Sequence, residues 1–203
     1  MSRILAIDTA APRLQLALRR GDGSSDALVG DMPQGQAERI FLAIDELLRR
    51  NRVTYADLDR IAVTTGPGSF TGLRIGLSAA RGLGLALDIP VIGVPSLLAI
   101  SLAAPTGAPV AVLLDARRDE AYFQSFAAPG VPLGDPVLTP MATARSSVDP
   151  RATLLESPFV NPALLARFAV DADPAAFRPE ASYVRSADAK PQDRARLART
   201  GSA

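Results

Sequence analysis

The chain has 203 residues, 48% hydrophobic and 21% charged, which is long enough to bury a core without staples and globular rather than disordered. Its formal net charge of +1 excludes a protein whose whole surface grips nucleic acid or membrane. It has no Cys, no His and no Trp, so thiol nucleophiles, thiolate metal sites, imidazole bases and Ser-His-Asp triads are excluded. Lys190 is its one lysine, which leaves none for a Walker loop. Catalysis, if there is any, runs on Asp, Glu, Ser, Thr, Tyr or Arg.

The opening MSRILAID reads as a buried strand rather than a signal sequence, because Asp8 interrupts the apolar run early. No apolar run reaches membrane-spanning length. Together with the missing thiols, this leads us to expect a cytoplasmic protein without a membrane partner. Ile4 to Ile7 is a first strand. Leu14, Leu16 and Leu18 alternate as a second, half-buried strand, and Ala27 to Val29 is a third. From Gln36 to Asn51, Ala37, Ile40, Phe41, Ile44, Leu47 and Leu48 form the stripe of an amphipathic helix. Tyr55 to Leu58 is a helical turn and Ile61 to Thr65 a strand. The strand runs into Gly66-Pro67-Gly68-Ser69-Phe70-Thr71-Gly72, a loop rich in special backbone positions. A second helix is predicted over Leu73 to Leu87, a strand over Pro90 to Gly93 and a third helix over Pro95 to Leu102.

The Pro- and Gly-rich stretch 104–109 is the best internal boundary, dividing the chain into lobes 1–104 and 105–203. After it come a strand from Val110 ending at Asp115, a charged turn 116–119 and a strand from Glu120 to Phe126. Pro136 to Leu138 pairs beside that strand, and Ala163 to Phe168 is helical. The tail from Arg185 carries five basic residues and is expected to fray. Three meandering strands followed by alternating helices and strands predict an α/β protein with a mixed sheet and helices on its faces, as in RNase H-like lobes. Two such lobes make the actin–Hsp70–sugar kinase architecture, and here the second has room only for a truncated copy.

Several residues are candidates for chemistry. The Gly66–Gly72 loop joins a strand to a helix N-terminus, a place that binds anions, with Ser69 or Thr71 as cap and Arg74 adding charge. On the residues alone, a tight turn with a Ser or Thr cap is the better explanation. Asp8 and Asp115 each end the first strand of a lobe, where a carboxylate pair can hold Mg²⁺ through water, as kinase-like double lobes hold ATP. Strand-end Asp residues also simply start turns. Ala10 stands where a phosphate loop turns on Gly, and no Gly-x-Gly cluster follows in the second half. Arg117, with Arg118, Asp119 and Glu120, forms a charged turn open to an anion, to a partner loop or to solvent alone. The second helix is apolar all round, with Gly76, Ala80 and Gly84 forming a stripe of small residues. Both close packing on the chain's own sheet and a subunit interface account for that pattern.

Gly66-Pro67-Gly68-Ser69-Phe70-Thr71-Gly72-Leu73-Arg74-Ile75-Gly76, continuing Leu77-Ser78-Ala79-Ala80-Arg81-Gly82-Leu83, resembles the hallmark of the TsaB (YeaZ) family. Supporting matches are Ile4 to Thr9, Gln36 to Ile40, Val94 to Leu97, Leu114 to Tyr122 and Pro179 to Arg185. The resemblance covers most of the chain and is weakest over 131–178. It implies an actin/Hsp70-like (ASKHA, RNase H-like) fold with a reduced second lobe and a non-catalytic role. It also implies partnership with TsaD, a related subunit that itself holds ATP and a divalent metal, and with the ATPase TsaE, in threonylcarbamoyl transfer to adenosine 37 of tRNA. The lone chain is expected to bind no cofactor, with Asp8, Ser69, Thr71, Asp115 and Arg117 as the weak alternatives. Family members pair with TsaD, or with a second copy, through two first-lobe helices. Here those are residues 36–50 and 73–87, with Ile40, Ile44, Leu47, Leu73, Gly76, Leu77, Ala80, Arg81 and Gly84 as the expected interface.

Two departures stand out. Gln36 occupies a place where the family often has His, and Gln keeps a hydrogen bond but cannot titrate. The stretch 148–177 is short. The competing readings are a small ATP-dependent phosphotransferase or ATPase built on Asp8, Asp115 and the Gly66–Gly72 loop, and direct tRNA binding by the Arg-rich tail.

Overall fold

A computed structural model of the chain describes residues 2–182 and Val184. Tyr183 and Arg185 of the closing motif, and the basic tail expected to fray, lie outside the described residues.

The first half folds as β1 (Ile4–Asp8), β2 (Arg13–Arg19), β3 (Ser25–Asp31), α1 (Gln36–Arg50), a 3₁₀ turn (Tyr55–Asp57), β4 (Arg60–Thr64), α2 (Phe70–Leu87), β5 (Val91–Val94) and α3 (Ser96–Ser101). The strands form one sheet in the order β3-β2-β1-β4-β5, with β1 antiparallel to β2 and parallel to β4. β1 is buried on both faces, which is why it reads as an unbroken apolar run rather than an alternating one. Leu5 and Ile7 face α1 and α2, and Ile4 and Ala6 face the other way into a second core.

The second half contains β6 (Val110–Arg117), β7 (Glu120–Ala128), β8 (Val131–Pro132), β9 (Val137–Pro140), α4 (Met141–Ser146), β10 (Thr153–Leu155) and α5 (Pro162–Phe168). It repeats the opening of the first half: an antiparallel hairpin β6–β7, a helix, then β10 parallel to β6. β8 and β9 both pair with β7. The truncated second lobe is therefore a sheet of the same kind with a small outer core around Leu113, Phe123 and Ala144.

The predicted boundary separates the two sheets but not two independent cores. Ile4, Ala6, Leu97, Ile100, Val112, Leu114, Phe126 and Leu165 share one cluster that spans both sheets. α3 packs on β6 and β7, while α5 crosses back onto β1 and β2. Arg60 of β4 donates to the carbonyls of Ala169 (3.3 Å) and Ala172 (2.8 Å) just past α5. Arg13 of β2 stacks 3.6 Å from the Phe159 ring centroid. Each half thus lends a helix to the other's sheet.

Three elements escaped the sequence pattern: β8, α4 and β10 are two, six and three residues long. α2 begins at Phe70 rather than Leu73, because Ser69 caps it by accepting from the Gly72 N–H at 3.2 Å.

Candidate functional site

The glycine-rich segment after β4 is pressed against the β1–β2 turn. A side chain at Gly68 would meet the Ala10 carbonyl oxygen at 2.7 Å, one at Gly72 would run into the Thr9 carbonyl, and one at Gly76 would meet Thr9 Oγ1 at 2.5 Å. The Ser69 N–H donates to the Ala10 carbonyl at 2.7 Å, and the Thr9 hydroxyl donates to the Gly72 carbonyl at 2.7 Å. The glycines at 68, 72 and 76 therefore let two backbone segments touch. Gly66, at φ 109°, adopts a conformation only glycine holds without strain, and the Ser182 carbonyl lies over it.

Asp8 sits behind this clasp and is fully buried. Its carboxylate accepts from Thr64 Oγ1 (2.6 Å), Gln15 Nε2 (2.7 Å) and the Ala10 N–H (3.2 Å). Burial pushes its carboxyl above the ordinary carboxylate range, and the three donors pull it partly back. Asp8 and Asp115 thus do not form a pair across the cleft. Asp8 is enclosed by its own sheet, while Asp115 is exposed and accepts from the Arg117 N–H at 2.7 Å, as a turn-forming Asp does. Of the weak cofactor candidates, Ser69, Asp115 and Arg117 line a cleft of about 500 Å³ between the sheets, beside Ser96, Tyr122 and Pro158. Arg117, Arg118 and Asp119 turn the chain there with φ of 67°, 56° and 58°. Thr71 faces elsewhere. Among the described residues, no three His, Cys, Asp or Glu side chains cluster as metal ligands.

Gln36 opens α1 and is buried. Its Nε2 donates to the carbonyls of Ala11 (3.2 Å) and Arg13 (2.8 Å), so it braces the same β1–β2 turn from the other side. Its work is that of a two-handed donor, which needs no titratable group.

The expected interface must be corrected residue by residue. Ile40, Ile44, Leu47, Leu73, Gly76, Leu77, Ala80 and Gly84 are buried within the chain, and only Arg81 of that set is exposed. The stripe that makes a helix amphipathic is the face it turns to its own sheet, and the small-residue stripe serves that same packing: a side chain at Gly84 would collide with Val91 of β5. The outward faces are different residues. Phe41 and Phe70 are half exposed, at 50% and 55%; Leu42, next to Phe41, and Leu85, at the far end of α2, are exposed as well. Between α1 and α2 they leave a groove of about 520 Å³ lined by Ala37, Phe41, Phe70, Thr71, Arg74 and Ile75. The Arg74 guanidinium lies 3.8 Å from the Phe70 ring centroid, a cation–π contact. The helical period alone gave only part of this face: Phe41 lies at the edge of the buried stripe, close in angle to buried Leu48, while Leu85 stands clear of the buried positions of α2.

Two mixed sheets of this order, sharing a core and exchanging helices, define the actin/Hsp70-like (ASKHA) class. Residues 34–135, half of the chain, match the family model described as TsaD: tRNA N6-adenosine threonylcarbamoyltransferase. The tRNA threonylcarbamoyladenosine biosynthesis protein TsaB of Escherichia coli is 37% identical over 127 residues, 61% of this chain and 54% of that protein. An uncharacterized protein of Mycobacterium tuberculosis is 37% identical over 159 residues, 76% of this chain and 71% of its own. The solved structure of YeaZ from Pseudomonas aeruginosa superposes with a TM-score of 0.75 at 26% identity, covering 90% of this chain and all of that one. The match spans about half the length of the E. coli relative. The chain belongs to the TsaB (YeaZ) family.

Proposed function

We propose that this chain is a non-catalytic scaffold that binds and activates a TsaD-like catalytic subunit in the synthesis of threonylcarbamoyladenosine at position 37 of tRNA. One observation carries the binding half of this reading: the groove between α1 and α2 exposes two phenylalanines next to an apolar floor, on a face that none of the other described residues covers. The non-catalytic half is supported by the sealed carboxylate of Asp8 and by the glycine loop, whose close approach to Thr9 and Ala10 is internal packing. The shared core and exchanged helices suit a rigid part rather than a clamp that opens and closes. In this reading ATP and a divalent metal reside in the partner, tRNA and a TsaE-like ATPase are met through the complex in the cytoplasm, and a homodimer competes for the same face.

Sedimentation of the chain with its own organism's TsaD-like subunit tests this. The expected result is a discrete mixed species that Phe41→Glu abolishes while the free variant keeps its circular dichroism and melting temperature. A folded Phe41→Glu protein that assembles as well as the wild type overturns the assignment of the groove. The alternative, a small ATP-dependent phosphotransferase or ATPase, draws support from Ser69, Asp115 and Arg117 meeting at the inter-sheet cleft. Calorimetric binding of Mg-ATP by the lone chain would favour it.

A further inference from the structure

We infer that the cleft between the two sheets is a binding site for a free α-amino acid, held by its two charges at Asp115 and Arg117 and by its side chain at Ser96. The inference does not depend on the partner-binding reading, and it competes with the nucleotide reading of the same cleft.

Ser96 is the residue that points to a ligand. It opens α3, is 2% exposed and lines the cleft. Its N–H donates to the Gly66 carbonyl at 2.7 Å, which fixes its place, but its hydroxyl has no hydrogen-bond partner among the described residues. A buried hydroxyl without a partner is unfavourable. The other serine of α3 shows the usual solution: Ser101 Oγ donates to the Leu98 carbonyl at 2.7 Å and accepts from the Gly130 N–H at 3.0 Å. Ala10, Pro67, Leu114 and Pro158 share the wall with Ser96 and carry no polar side-chain atom. A ligand with a polar side chain supplies the bond that the chain does not.

A phosphate chain matches the cleft poorly. Phosphates are held by runs of free backbone N–H groups. Here the N–H groups of Ala10, Ser69, Ser96 and Arg117 go to Asp8, Ala10, Gly66 and Asp115. The Ser69 hydroxyl caps α2. The charged residues of the lining are Asp115, Arg117 and Glu156. Glu156 accepts from Arg145 at 2.7 Å, so its charge is matched. Asp115 and Arg117 remain, and among the described residues neither has an ion-pair partner. A carboxylate and a guanidinium with no net charge between them complement a zwitterion: the guanidinium takes a carboxylate and the carboxylate takes an ammonium. The two residues are neighbours but one in the chain, which favours charges carried on a single carbon, as in a free α-amino acid rather than a peptide. At about 500 Å³ the cleft has room for such a molecule.

Melting of the full-length chain with each standard L-amino acid tests this. At about 10 mM, roughly ten times a millimolar Kd, at least one with a polar side chain should raise the melting temperature by about 3–5 °C. Acetylating the amine of that amino acid, or esterifying its carboxylate, should weaken binding by about tenfold or more in calorimetry, and so should Asp115→Asn and Arg117→Gln. Without ligand, Ser96→Ala should melt no lower than wild type, because the hydroxyl it removes makes no bond in the described chain. With ligand, it should lose the preference for that amino acid over alanine. The inference is overturned if no amino acid shifts the melt, if binding survives both charge substitutions, or if Ser96→Ala leaves the preference intact. If Mg-ATP binds and Arg117→Gln abolishes it while amino acids do not bind, the cleft belongs to a nucleotide and the inference is overturned as well. Assembly with a TsaD-like subunit is read separately by Phe41→Glu, so either reading can fail without the other.

Discussion

The hydroxyl of Thr9 donates to the carbonyl of Gly72 at 2.7 Å, joining residues 63 apart in sequence. That bond fixes the first turn of α2 to the end of β1. It leaves no room for a phosphate group between them, and it sets where the outward residues Phe70 and Arg74 stand. The exposed groove between α1 and α2 and the core are therefore coupled through a strip of bare backbone.

The first prediction concerns that strip. Gly72→Ala places a methyl group against the Thr9 carbonyl, a backbone atom that cannot swing aside. The expected cost is about 2–4 kcal/mol, typical of severe overpacking or backbone conflict. Gly82→Ala, ten residues along the same helix, is expected to stabilise by roughly 0.5–1 kcal/mol. Denaturant titration of the two variants checks both signs. Equal effects at the two positions would mean that the clasp does not hold the loop.

The β1–β2 turn has a second brace. Gln36→Ala removes both donors to Ala11 and Arg13 and leaves those carbonyls without this partner. A loss of about 1–3 kcal/mol is expected. Gln36→His, the residue common elsewhere in the family, keeps one donor at a time when neutral and is expected to recover part of it. Thermal melts at neutral pH distinguish the three proteins. A Gln36→Ala variant as stable as wild type would show that the brace is idle.

Much of this architecture was legible in the chain itself, and the exceptions have physical causes. The apolar run of β1, the alternation of β2 and the stripe of α1 announce themselves, because burial on one or two faces dictates side-chain period. β10 and α4 carry no such period: Thr153–Leu155 is held by pairing with β6, and Met141–Ser146 by packing near Leu113 and Phe123. The site was half legible. The motif around Gly68 and Gly72 is visible, but whether its glycines approach a ligand or their own backbone depends on where Thr9 and Ala10 lie. The expected interface residues, Arg81 apart, lie on the faces that α1 and α2 turn inward, because periodicity reports the face that is already buried.

A pH prediction follows from Asp8. Its carboxyl titrates above the ordinary carboxylate range because burial disfavours the charge. A carboxyl whose folded value is raised binds its proton more tightly when folded, so its contribution to stability is greatest at low pH. That contribution falls as pH rises from the unfolded value through the folded one, and then levels off. Exposed or partly exposed Asp26 and Asp57 work the other way. Arg50 and the backbone N–H of Thr54, respectively, hold them below the usual range, so their contribution is lost as pH falls. The difference between wild type and Asp8→Asn isolates the first effect. The variant's stability, relative to wild type, should rise with pH across that window. A pH-independent difference would show that the buried carboxyl keeps its ordinary value.

The exchange of helices between the sheets makes the last prediction. Leu165 on α5 is completely buried in the cluster that also holds Ile4, Ala6 and Phe126. Leu165→Ala should cost about 2–5 kcal/mol, the range for emptying a packed core position. Its manner matters more than its size. If the lobes were separate domains, the variant would lose the second sheet first and leave the first intact, giving two transitions. Because α5 lies on β1 and β2, and Arg60 of β4 holds the carbonyls of Ala169 and Ala172, both sheets lose their shared core together. One cooperative transition at lower denaturant is therefore expected, with near-ultraviolet signals from Tyr55 of the first half and Tyr122 of the second changing together. To separate them, each of the two would be replaced by Phe in turn in a protein that also carries Tyr183→Phe. Non-coincident transitions would support the two-domain division at 104/105 and remove the argument that the two sheets move as one rigid unit.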